Sequence, residues 1–292
     1  QLAELRLLPR LDPLRMRYVW FPILLVTLCS DLVGVAQQRQ STAANKAESN
    51  NFRVYSFTGG PSASQVAKKS EHLRTELQRI WLGEEPQANW SPRCDIVLHR
   101  SRASYQQAVG GGSQTSASSL IRYERGQMRV RRVDLLVDAR GEFTAMPHEL
   151  THVVLADRFE GRQPPRWVDE GIATMADSHA KRKLHHRDCQ YALRNGNALR
   201  MIEILKLEEF TSADQVPPFY GQSLSLVNFL FQHDEPTAIV DFVDTAMQHG
   251  YDHALRSHYD IDGVTALEQK WRSFAKTAVQ QEAQLISYRP LQ

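Results

Sequence analysis

A chain of 292 residues with 42% hydrophobic and 23% charged side chains has the make-up of a globular protein and excludes a wholly disordered one. Its 35 basic and 33 acidic residues leave a formal charge of only +2, which gives no reason to expect a nucleic-acid partner. The basic runs at Arg129, Arg131 and Arg132 and from Lys181 to Arg187 read as solvated faces.

Met16 and Arg17 precede an apolar stretch from Tyr18 to Leu28, and the small residues Gly34 and Ala36 follow. That stretch is about half the ~20 residues of a membrane-spanning helix. Residues 1–36 therefore read as a secretory leader cleaved after Ala36, with an uncleaved anchor as the alternative. A secreted or cell-envelope location follows, with no stable membrane insertion once the leader is gone. Residues 37–50 are polar and read as a flexible linker. Cys29 would leave with the leader; Cys94 and Cys189 remain, either as a disulfide or as two buried thiols.

Order is expected from Asn51, with a short strand around Phe52, Val54 and Tyr55. Gly59, Gly60 and Pro61 break the chain. Helical spacing of Val66, Leu73, Leu77, Ile80 and Trp81 then predicts a helix from Ser62 to Trp81. Strands are predicted at Asp95–His99, Leu120–Tyr123 and Met128–Val137, the last from the alternation of Gln127, Arg129 and Arg131 with Met128 and Val130. From Phe143 onward the apolar spacing is helical around His148 and Val168, and over 181–193, 220–231 and 264–279. The expected class is α+β: a mixed sheet with helices over 51–140, and a helical part over 141–292.

The chemistry concentrates at His148-Glu149-Leu150-Thr151-His152. On a helix, residues four apart share a face, so two imidazoles can reach one Zn²⁺. Glu149 lies roughly 100° round the helix from His148, beside such a metal, where it can act as general base. Pro147 suits a first helical turn. Eighteen residues beyond His152 comes Trp167-Val168-Asp169-Glu170-Gly171-Ile172-Ala173, and Glu170 supplies a third ligand if Pro164 and Pro165 turn the chain back.

His148 to His152 with Glu170 resembles the gluzincin metallopeptidases, and Trp167 to Ala173 is similar to the Trp-x-x-Glu-Gly-x-Ala tract of their aminopeptidase-like branch. The resemblance implies a zincin-like fold, zinc held by His148, His152 and Glu170, water activation by Glu149, and a peptide or protein substrate. It also implies that Asp177 supports a ligand histidine and that Tyr220, heading the helix that carries Leu224 to Leu230, stabilises the oxyanion. The tract from Gly263 to Phe274, with Leu267 and Trp271, resembles the last helix of small peptidase-MA-like domains. The Gly-x-Met-Glu-Asn tract that recognises a free N-terminus is missing, so the expected activity is that of an endopeptidase. The strand at Met128–Val137 is expected either to align substrate at a sheet edge or to lie inside the sheet. A metal-binding scaffold without activity and a zinc hydrolase of non-peptide substrates remain as alternatives. His179, His185, His186 and His233 receive no role.

Overall fold

The computed structural model describes residues 45–83, 88–111, 113–159, 161–232 and 235–277. The leader, its cleavage after Ala36, Cys29, His233 and the linker up to residue 44 lie outside the described residues.

Strands β1 (Asn45–Glu48), β2 (Phe52–Ser56), β3 (Cys94–His99), β4 (Ala117–Glu124) and β5 (Gln127–Leu136) form one mixed sheet in the order β1-β2-β3-β5-β4. β2, β3 and β5 run parallel, with β1 antiparallel to β2 and β4 antiparallel to β5. Helix α1 (Ala63–Leu82) crosses between β2 and β3, and the short α2 (Arg102–Val109) precedes β4. The back half is helical: α3 (Met146–Arg158), α4 (Arg166–Met175), α5 (His179–Asn195), α6 (Met201–Lys206), α7 (Val216–Phe231), α8 (Pro236–His249), α9 (Tyr251–Tyr259) and α10 (Gly263–Thr277). The class is thus α+β, a five-stranded sheet followed by helices. No helix among the described residues is long and apolar enough to cross a membrane.

Local chemistry accounts for the main elements. Ser62 caps α1 by accepting from the Gln65 amide, and Gly83 ends the helix at φ 70°. The α1 stripe of Val66, Leu73, Leu77 and Trp81 is buried against the sheet and α3, where Phe52, Val54, Ile96, Val133 and Leu135 are also fully buried. Register pairs Glu124 with Gln127, so Arg125 and Gly126 alone make the β4–β5 turn, both at positive φ.

Two expectations change and one open alternative closes. Residues 45–48 of the supposed linker form β1, an exposed edge strand. Its pairing with β2 is made by backbone, with Glu48 bridging Lys46 and Arg93, so no apolar side chains announced it. The Met128–Val137 strand lies inside the sheet between β3 and β4, which leaves β4 as the edge opposite β1. Of the basic run at 129–132, Arg131 is buried, paired with Asp157 and stacked at 5.0 Å on Trp90. Trp90 Nε1 donates to the same carboxylate, and Arg74 covers Trp90 at 4.7 Å. Asp157→Ala would leave two buried donors without their acceptor, so urea unfolding is expected to register a loss of about 3 kcal/mol.

The open cysteine question resolves towards thiols. Cys94 and Cys189 are both buried and unbridged, and burial pushes both above the ordinary thiol range, Cys189 to about 12. Neither is poised as a thiolate. Helices α2, α6, α8 and α9 were not anticipated; α2, α6 and α9 are short, and α8 begins only at Pro236.

Candidate metal centre

Helix α3 is buried on every side from Met146 to Ala156, as a helix through the middle of a domain must be. Pro147 occupies its first turn, and the Thr151 hydroxyl returns a 2.8 Å bond to the Pro147 carbonyl. Within such a helix His148 and His152 are buried polar groups that need partners. Their rings meet edge to face with centroids 5.0 Å apart.

The chain turns at Pro164 and Pro165 into α4, which packs on α3 and is buried from Trp167 to Met175. Glu170 thereby faces the two histidines. One ligand-type atom from each of His148, His152 and Glu170 lies within 4.8 Å of the other two. His148 Nε2 is 3.6 Å from Glu170 Oε2. The far side of each imidazole is held by a carboxylate: His148 Nδ1 lies 3.1 Å from Asp177, and His152 Nδ1 lies 2.8 Å from Asp169. A ring that donates from Nδ1 keeps its Nε2 lone pair for a cation.

The electrostatics agree with a cation site. Burial works against a charged ring at His148, yet the hydrogen bond to Asp177 and the nearby carboxylate of Glu170 outweigh it and raise the ring to about 10. His152 is raised as well, its desolvation outweighed by Asp169. Asp177 is buried, which alone would raise it, but His148 and Lys181 hold it below the ordinary carboxylate range. Asp169, Glu170 and Asp177 around the two rings give the site surplus negative charge, which suits a divalent ion on the imidazole nitrogens. The donor set of two imidazoles and one carboxylate suits Zn²⁺.

Glu149 sits in the first turn of α3 and shares a small cleft with His148, His152 and Glu170. The opposite wall comes from Ser113, Thr115 and the first residues of β4, Ala117 to Ser119. On α7, Tyr220 donates its hydroxyl to Glu170 Oε1 at 2.9 Å.

Two helical glycines permit this convergence. A Cβ on Gly171 would lie 2.8 Å from the Ser223 carbonyl and 2.7 Å from Val227 Cγ2, so α4 and α7 touch at backbone distance. Because a carbonyl cannot move aside, Gly171→Ala is expected to cost about 1–3 kcal/mol, checked by thermal denaturation. Gly221 does the same between α7 and α5, where a Cβ would fall 2.5 Å from the His185 carbonyl.

All the residues singled out by sequence (His148, Glu149, His152, Glu170, Asp177 and Tyr220) converge here. Sequence reasoning missed Asp169, although its place one residue before the candidate ligand Glu170 was a usable signal. His185, named above without a role, stacks its ring on Tyr220 at 5.5 Å. No protein-family model matches the chain. A search of curated proteins finds no matching relative.

Proposed function

We propose that this chain is a secreted zinc metallopeptidase of zincin-like fold, cutting within peptide chains. The observation that carries the reading is the buried His148–His152–Glu170 triangle with Glu149 in the same cleft. Structural zinc has no need of such a base, whereas hydrolysis does. Bound zinc supplies polarisation of the scissile carbonyl and activation of a water, whose pKa falls to about 7.

The chain's own groups do the rest. Glu149 takes a proton from the attacking water and later delivers it to the departing amine. Asp177 and Asp169 hold the two imidazoles by their Nδ1 atoms, so neither ring can rotate away. Tyr220, whose single O–H rests on Glu170, supplies a donor for the developing oxyanion by turning that proton away from Glu170. Strand β4 pairs with β5 on one side only, and its first residues border the cleft. An extended peptide can add to that edge through main-chain hydrogen bonds. This transfers to β4 the substrate-aligning role first considered for the 128–137 strand.

The test is mass-spectrometric cleavage of a mixed peptide library by zinc-loaded protein, before and after 1,10-phenanthroline. Internal cuts that vanish with the chelator and return with added zinc are expected. One zinc per chain without any cleavage would overturn the peptidase assignment. Failure to bind zinc would overturn the metal centre itself.

A further inference from the structure

We infer that His185 is a positioning residue for the metal centre: its imidazole backs the Tyr220 ring and so fixes the hydroxyl that Tyr220 donates to Glu170. The inference rests on the zinc reading above. Helices α5 and α7 pack closely at Gly221, where an added Cβ would lie 2.5 Å from the His185 carbonyl and 2.6 Å from the Cys189 amide nitrogen. Only a residue without a side chain brings two backbones so near.

That approach lays the imidazole nearly flat on Tyr220, with centroids 5.5 Å apart and planes 22° from parallel. Phe219 meets Tyr220 edge-on at 5.8 Å, and Phe210 lies at 6.4 Å. The phenol is therefore packed by rings, and its hydroxyl sits at the far end of the ring. A modest tilt there would stretch the 2.9 Å bond to Glu170 beyond hydrogen-bonding range.

The service His185 performs is its face. Among the described residues neither of its ring nitrogens has a hydrogen-bond partner, and Asp188, at 3.6 Å from Nδ1, is too distant to be one. Burial also pushes the ring below the ordinary histidine value.

The experiment measures zinc affinity and the visible absorption of the cobalt-substituted protein for wild type, His185→Ala, His185→Phe, Tyr220→Phe and the His185→Ala/Tyr220→Phe pair. Loss of the ring in His185→Ala is expected to weaken zinc about tenfold and to shift the cobalt bands as Tyr220→Phe does. His185→Phe restores a flat ring without nitrogens and should stay within about twofold of wild type. The double variant should match Tyr220→Phe within about twofold, because both changes remove the same interaction. Wild-type affinity in His185→Ala, or additive losses in the double variant, would overturn the inference while leaving the zinc reading intact. Should His185→Ala not fold, His185→Phe decides: an unchanged cobalt spectrum supports the role and an altered one overturns it. A wild-type protein that binds no zinc removes both readings.

Discussion

Glu149→Gln is expected to bind one zinc per chain with near wild-type affinity while losing about 10²–10⁴-fold in turnover. The amide has the size of the carboxylate but no basicity, so the water loses its proton acceptor and little else changes. Glu149 is buried in the first turn of α3 and faces the cleft, and it is not one of the three clustered ligand-type groups. Metal content by atomic absorption and cleavage rates of a peptide found in the library screen make the two halves of the expectation independent. Turnover within a factor of about three of wild type would end the general-base assignment. Loss of zinc together with activity would instead make Glu149 a ligand.

The second large effect concerns the carboxylates behind the ligands. Asp169→Asn and Asp177→Asn should each weaken zinc by about 10–100-fold, because each removes the charge that orients an imidazole and raises its basicity. The two act on different rings, Asp169 on His152 and Asp177 on His148. Those rings touch each other and would share one metal, so the double variant is expected to depart from the sum of the two losses. Competition with a chromophoric chelator measures this directly, without reference to any substrate. Unchanged affinity in both variants would show that ring orientation is set by the packing of α3 alone. Asp177 carries a further control, since Lys181 bonds it from the next helix. Lys181→Met should leave zinc affinity within about threefold of wild type, because the ammonium reaches the buried Asp177 from an exposed position where water screens it.

Much of this centre was legible along the chain because helical geometry is local. Four-residue spacing puts His148 and His152 on one face wherever the helix lies, and Glu149 follows from the same 100° step. Pro147 at a first turn and the prolines before α4 were equally readable, since their backbone restriction is intrinsic. The strand–helix–strand order of the front half followed from apolar periodicity, as did the long α1. The weak points were elements whose stability comes from elsewhere. β1 is polar and exists through its backbone pairing with β2. Arg131 sits in an alternating strand that looks wet on one face, yet it is buried because Trp90 and Asp157 come to it from distant segments.

The sequence by itself determined the two histidines on one helical face, the glutamate beside them, a carboxylate on a following helix, and the division into a sheet-bearing front and a helical back. Each depends only on covalent spacing and local periodicity. Tertiary structure alone decided that β4 is the edge strand beside the cleft, that Cys94 and Cys189 stay apart, that Asp169 serves His152, and that His185 lies behind Tyr220. Those outcomes depend on which strand ends a sheet and on where Gly171 and Gly221 let helices touch. Such contacts join residues with no fixed spacing, and close packing between whole elements sets them.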